Sequence, residues 1–300
     1  AGWVWAAIGA LIVVLSVLAI VRSERLVERF GPALALGPTA GQVALVVTAF
    51  ILTPVVGELS VGNVHLELLG LFTIAWLGIR RGDENGERVA GLAIAGAAVI
   101  KVFPGLLVLW FLATGRRTAA GWTVVGAILI ALATVPITGI QAWLDYPRIL
   151  ANMGPIADVH DSVSPTVWLL PVIGYDAARL VVLSIGTAAI IYVAKVRPDI
   201  VSFPIAVTVS ILVAPAVFHH YLSILVLPLL LAVAAGVRWW VVGLIYFLLW
   251  GGQQAALGDW AWVLSRVPQT IAYLLLTGAL LALRPVRTPS PATLLTPAAT

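Results

Sequence analysis

Few side chains in this sequence can do chemistry, and the most constrained of them is Lys101. It lies within Val89–Thr114, VAGLAIAGAAVIKVFPGLLVLWFLAT, an apolar run with no other charge, three residues before Pro104. An ammonium among hydrocarbon is costly and is retained where it faces a protein interior or a watery cavity and meets an anion. Three other polar groups stand at the ends of apolar runs: Glu58, Gly62, Asn63, His65 and Glu67 in VGELSVGNVHLE (56–67), His219, His220 and Tyr221 after Ala214-Pro215, and Asp259 before Trp260. Read together, they describe one outward-facing cavity around a deep lysine. An ammonium with one imidazole suits a phosphate oxygen, and a phosphate delivered from a bilayer needs such stabilisation if its ester bond is to break. The chemistry indicated is transfer from a lipid-phosphate donor.

Other chemistries find no support. Adjacent residues of a helix point about 100° apart, so His219 and His220 are poorly placed to share one ion, and no metal is expected. One of the two histidines is expected to face the cavity and the other to pack. There are no cysteines, hence no disulfide framework and no thiolate ligand or nucleophile. Phosphate loops, dinucleotide fingerprints, HExxH and GxSxG motifs are absent, so no nucleotide or other cofactor is expected. On a continuous helix Asn63 and Glu67, four apart, would share a face.

The elements that position these groups follow from composition. Of the 300 residues 61% are hydrophobic and 10% charged, against roughly 25% charged in a soluble domain, so the fold expected is an all-α polytopic membrane protein. Runs able to cross a hydrocarbon core of ~30 Å fall at about 3–21, 41–57, 64–79, 118–138, 178–194, 200–217, 221–237, 239–257 and 266–283. Those are about nine spans. The net charge of +4 comes from loop arginines and reports topology, so no nucleic-acid partner is implied.

Val89–Thr114 is the exception to simple threading. Arg80, Arg81 and Arg88 precede it and Arg116 and Arg117 follow it, and basic clusters mark the cytoplasmic side. A straight span would separate them. Broken at Lys101–Gly105, the run becomes a re-entrant hairpin of two helices of about 18 Å each, with Lys101 deep at its turn and its irregular backbone covered by protein or water. With that hairpin, thirteen of the seventeen basic residues fall on the inner side. The alternative is a tilted, kinked span whose lysine snorkels to an interface.

The segment 141–164, QAWLDYPRILANMGPIADVHDSVS, reads as an outer loop with a short interfacial helix and carries Asp145, Arg148, Asp158, His160 and Asp161. Residues 284–300, rich in Pro and Thr, read as a disordered cytoplasmic tail after a membrane domain at 1–283.

Gly62-Asn63-Val64, the span ending at Arg80-Arg81, Ala90-Gly91-Leu92 leading to Ile100-Lys101-Val102-Phe103-Pro104, then Gly115-Arg116-Arg117, and Ala214-Pro215 with Phe218-His219-His220-Tyr221 occur in the order found in glycosyltransferase family 87. The chain resembles that family, the polyprenyl-phosphate-mannose-dependent α-(1→2)-mannosyltransferase type of GT-C enzyme, to about residue 283. The resemblance implies that Lys101 of the Lys-x-x-Pro104 turn faces the donor phosphate. It implies that His220 assists there, His219 standing where the family more often has aspartate, and that Gly62 and Asn63 form the family's Gly-amide motif. The general base it implies is an aspartate on a loop that would precede Ala1. Asp158 and Asp161 are counted with Glu58 and Tyr221 to the substrate cavity and are the alternatives for that base.

The function so implied is an inverting transfer of a sugar, mannose foremost, from a polyprenyl phosphate to a glycolipid or glycan acceptor. It would take place on the extracytoplasmic side of the cell membrane, the bilayer being a partner in its own right. A lipid-linked saccharide transporter or flippase using the same cavity, or a catalytically silent membrane protein, are the rival readings.

Overall fold

The computed structural model describes residues 2–28, 37–152, 162–250 and 259–283. Asp158, His160, Asp161 and the tail 284–300 lie outside the described residues. Within them every regular element is a helix, as an all-α membrane fold requires.

Five helices build the frame of the site: α1 (Gly2–Ser23), the bent pair α2 (Pro38–Phe50) and α3 (Thr53–Val61), α4 (His65–Arg81) and α5 (Glu84–Ile100). Helix α1 runs alongside α4 in the same direction, and small residues set the spacing. A Cβ on Gly9 would come within 2.9 Å of Leu66, and one on Gly70 within 2.9 Å of Ile12. Helices α4 and α5 form an antiparallel hairpin whose turn is specified locally. Gly82 takes the left-handed conformation at φ 69°, and Asp83 caps α5 by accepting from the Gly86 amide at 2.6 Å. That hydrogen bond, with Arg81 alongside, holds the Asp83 carboxyl below the usual carboxylate range.

After α5 come a 3-10 turn (Phe103–Leu106), a short α6 (Leu107–Ala113) and a long α7 (Arg117–Thr138). Helix α7 packs along α5 with Gly91 against Ala119 and Trp122, and Gly126 against Leu92 and Ala95. Residue numbers therefore rise together along the two helices, which makes them parallel. Between them the chain has to return, and it does so at Lys101, whose extended backbone (φ −142°, ψ 139°) ends α5. Arg88 and Arg117 consequently stand at the same end of the pair, the arrangement a hairpin demands and a single straight span forbids.

The remaining helices are α8 (Ile140–Asn152), α9 (Pro165–Ile173), α10 (Tyr175–Val196), α11 (Asp199–Leu212), α12 (Val226–Ala235), α13 (Trp239–Leu249) and α14 (Asp259–Ala282), with a 3-10 segment His219–Leu225 before α12. They carry the same polarity. Glu24 accepts from Trp76 Nε1 at 3.0 Å and from Arg80 Nε at 3.1 Å, Arg116 pairs with Asp199, and Arg197 donates to the Leu283 carbonyl at 2.8 Å. All of these lie at the end of the bundle opposite Lys101. The buried middle is aromatic: Phe203 meets Trp76 at 5.4 Å and Trp110 at 5.3 Å between centroids, and Trp110 Nε1 donates to Ser202 Oγ at 3.1 Å.

Nine long spans are not recovered. Among the described residues three helices, Gly2–Ser23, Arg117–Thr138 and Tyr175–Val196, are long and apolar enough to cross a membrane, and the α2–α3 pair, bent by 63°, makes a fourth if taken as one. Helices α4 and α5, at 17 residues each, measure about 25 Å against a core of about 30 Å. The apolar run at 200–217 leaves the helix after Leu212, and the next one starts as 3-10 helix at His219. Apolar length in the sequence thus overstates unbroken helix length.

Candidate active site

The site begins with a helix end. Gly62, left-handed at φ 69°, terminates α3, and the Asn63 side chain braces the turn by accepting from the Val64 amide at 2.9 Å. The turn folds α3 back so that Glu58 reaches the start of α4. Its carboxylate accepts from the His65 amide at 2.7 Å and from His65 Nδ1 at 3.0 Å. Both side chains are fully buried. The carboxylate occupies the positive end of α4, satisfying an amide that the helix itself leaves unpaired. Asn63 and Glu67 therefore do not share a helical face: the helix starts at His65, after the break at Gly62.

The second half of the site comes from the segment before α12. Lys101 Nζ donates to the Tyr221 hydroxyl at 2.9 Å and lies 4.5 Å from the ring centre, where a cation is attracted to the π face. The Tyr221 ring rests on His65, centroids 3.8 Å apart. His220 packs parallel to Phe218 at 5.8 Å and stands 5.3 Å from His65. Asn63 Nδ2 donates to His220 Nε2 at 3.3 Å, and that donation leaves the proton of a neutral imidazole on Nδ1.

Lys101, His220, Tyr221, Glu58, Asn63 and Gly62 are thus brought together. His219 is not part of that group. In a 3-10 segment successive side chains point about 120° apart, and His219 Nδ1 meets Gln269 Nε2 of α14 at 2.6 Å. Pro104 is buried in the 3-10 turn behind Lys101 and shapes the return of the chain. The Glu67 carboxylate oxygens are buried and have no hydrogen-bond partner among the described residues.

Two features escaped the sequence. The Glu58–His65 pair forms only because the chain breaks between them, and the Gly-Asn dipeptide at Gly62-Asn63 was the available signal for that break. Gln269 reaches His219 across 50 residues with no local pattern to announce it. The expectation of no metal weighed His219 and His220 as the only histidine pair and looked for thiolate and HExxH ligands besides. The structure brings together a different set, Glu58, His65 and His220, with one ligand atom from each lying within 4.8 Å of the others.

Beside the Lys101 end of α5 lies a cleft of about 500 Å³ lined by Ala98 and Val99 of α5, Ala127 and Ile128 of α7, and Trp143 and Tyr146 of α8 among others. Its walls are almost wholly apolar. The cleft exists because facing residues on α5 and α7 are alanines, which bring the helices together without filling the space between them.

Comparison with curated proteins and with solved structures returns no match. The model of glycosyltransferase family 87 matches residues 1–218, a shorter reach than the motifs suggested. That segment includes Glu58, Gly62, Asn63, His65 and Lys101 and stops at Phe218, so His220 and Tyr221 join the site through geometry rather than through the match. Spanning well over half of the chain, the match settles the family: the protein belongs to glycosyltransferase family 87 and is a glycosyltransferase.

Proposed function

We propose that the protein transfers a sugar, mannose foremost, from a polyprenyl phosphate to an extracytoplasmic glycolipid or glycan with inversion at the anomeric carbon. The observation that carries this is the placement of Lys101, held by Tyr221 at the turn of a doubled-back helix and beside an apolar cleft. A lipid phosphate offers a matching anion and hydrocarbon chain.

In the reaction the acceptor hydroxyl attacks the anomeric carbon from the face opposite the phosphate and gives its proton to a carboxylate base. The bond from that carbon to the phosphate oxygen breaks, and polyprenyl phosphate leaves with the electron pair. Negative charge grows on the phosphate oxygens as it leaves. The Lys101 ammonium and the His220 Nδ1–H are donors for that charge, and donors aimed at developing charge in a water-poor site are a large source of catalysis. Tyr221 positions the ammonium, and Asn63 fixes the imidazole so that the proton sits on Nδ1.

The test is turnover in detergent. Given polyprenyl-phosphate mannose and a glycolipid acceptor, the purified chain should release free polyprenyl phosphate and mannosylate the acceptor. Silence in detergent, with movement of lipid-linked saccharide in sealed vesicles, would overturn the transferase reading in favour of a transporter.

A further inference from the structure

The chain that leads into His220 is irregular. Helix α11 ends at Leu212, Pro215 has no N–H with which to continue it, and residues 213–218 form no regular element before the 3-10 segment begins at His219. Irregular backbone inside a membrane protein needs its polar groups satisfied from elsewhere. A single neighbour does this, the tripeptide Ser162-Val163-Ser164. The Val163 amide donates to the Val217 carbonyl at 2.7 Å, and the Val217 amide donates to Ser162 Oγ at 3.0 Å. Ser164 Oγ lies 3.1 Å from the Ala214 carbonyl and 3.3 Å from the Leu212 carbonyl, so its single proton is shared between them. Both serines are 0% exposed.

We infer that Ser162 and Ser164 are positioning residues for the donor-phosphate site, setting where His220 and Tyr221 stand and, through Tyr221, where the Lys101 ammonium points. The inference rests on the transferase reading of that site. Val217 precedes His220 by three residues, and with its amide and carbonyl both held it cannot turn without breaking a buried hydrogen bond. On the other side His219 is fixed by Gln269 at 2.6 Å, which leaves the next residue, His220, to meet Asn63.

Ser164 also caps α9, accepting from the Thr166 amide at 3.3 Å. A cap needs nothing more. The contacts to Leu212, Ala214 and Val217 exceed that duty, and all of them end on the segment before His220. The hydroxyls are fixed in turn, since Ser162 Oγ accepts from the Ser164 amide at 3.2 Å.

The test uses the full chain in detergent, with each variant measured on its folded, monodisperse fraction. Ser162→Ala should lower kcat by about 10- to 100-fold, the scale on which a displacement of about 1 Å costs rate, and leave KM for the acceptor near wild type. Binding of polyprenyl phosphate, measured without turnover, should weaken by about tenfold, the order of one hydrogen bond to a charged group. Ser164→Ala should act in the same direction and carries the test if Ser162→Ala fails to fold. Ser210→Ala, at an equally buried serine that bonds only the Val207 carbonyl of its own helix, should stay near wild type.

The decisive comparison places Ser162→Ala in a His220→Ala/Tyr221→Phe background, where it should weaken polyprenyl phosphate binding little further, because the groups it positions are gone. An equal loss in both backgrounds overturns the positioning role, as do wild-type kcat and binding in the folded serine variants. A protein that binds polyprenyl phosphate without turnover, and loses that binding in Ser162→Ala, keeps the positioning role and loses the transferase reading. One that transfers sugar regardless of either serine does the reverse, and one that neither transfers sugar nor binds polyprenyl phosphate loses both.

Discussion

Lys101 and Tyr221 are 120 residues apart in the chain, and the lysine ammonium nevertheless donates to the tyrosine hydroxyl at 2.9 Å. The contact joins the turn of the α5–α6 hairpin to the 3-10 segment before α12, so two halves of the protein meet at its one deep ammonium. It also fixes where the ammonium points. A flexible four-carbon chain otherwise spreads its charge over many rotamers.

Removing the ammonium separates its chemical from its structural role. Lys101→Ala should lower kcat by about 10²–10³-fold, the range seen when a charge-stabilising donor is lost, while elution and thermal stability stay near wild type. Tyr221→Phe keeps the ring and loses the hydroxyl, and should cost less than Lys101→Ala. Full activity in Lys101→Ala would remove the lysine from the phosphate site.

The buried pair behind it should show as stability. Glu58 and His65 are both sealed from solvent and hydrogen-bonded to each other, so removing one partner strands the other at a cost of about 2–3 kcal/mol. Glu58→Ala and His65→Ala should each lower the melting temperature in detergent. The double variant should lose less than the two together, because the second removal strands nothing. Additive losses would mean the pair contributes little.

Helix packing offers a sharper steric test. A Cβ on Gly91 would sit 2.4 Å from the Ala119 carbonyl oxygen and 2.9 Å from Trp122, and the oxygen belongs to a helix backbone that cannot yield locally. Gly91→Ala should part α5 from α7, break the hydrogen bond from Thr123 to the Gly91 carbonyl and destabilise by about 1–3 kcal/mol. Gly121→Ala, where no atom lies within 4 Å, should be neutral. Equal stability of the two variants would argue against the close α5–α7 contact.

What the sequence disclosed, and what it hid, divides along physical lines. Charge and local chemistry were legible: the basic clusters on either side of Lys101 called for a chain that doubles back, and the parallel α5 and α7 have that geometry. Breaks inside apolar segments were not. The runs expected at 41–57 and 64–79 left 58–63 as a plain connection, whereas the helix runs on to Val61 and Gly62 in the left-handed conformation turns Glu58 onto the end of the next helix. An apolar composition likewise does not reveal the 3-10 helix at His219–Leu225. Gln269, brought to His219 by the packing of α14, has no signature in sequence because only the tertiary fold sets that distance.

The cap at Asp83 gives a pH prediction. Its carboxyl is held below the usual range by the Gly86 amide, so the folded form binds its proton less readily than the unfolded one. The contribution is therefore complete above the unfolded pKa and disappears as pH falls through the lowered folded pKa. Hydrogen exchange in the first turn of α5, corrected for intrinsic rates, should accelerate across that acidic window in wild type. Asp83→Asn retains a capping oxygen that does not titrate, and should exchange without that acceleration; an identical pH response would assign it to another group.

Topology is testable on a clean background because the chain has no cysteine. Asn85, in the first turn of α5, is exposed and Thr118, at the start of α7, half-exposed, both at the basic end, whereas Gln141 and Asp176 are exposed at the opposite end. Single cysteines at these four positions should react with a membrane-impermeant maleimide from two different sides of a sealed vesicle, Asn85→Cys and Thr118→Cys from one, Gln141→Cys and Asp176→Cys from the other. The decisive pair is the first. Positions 85 and 118 have 32 residues between them in the sequence, enough for one span with its flanks. A hairpin turning at Lys101 returns them to one face, and a straight crossing sends them to two. Labelling of Asn85→Cys and Thr118→Cys from opposite sides would replace the re-entrant turn by a spanning helix, and would leave Lys101 at a kink within the bilayer instead of at the turn of a hairpin.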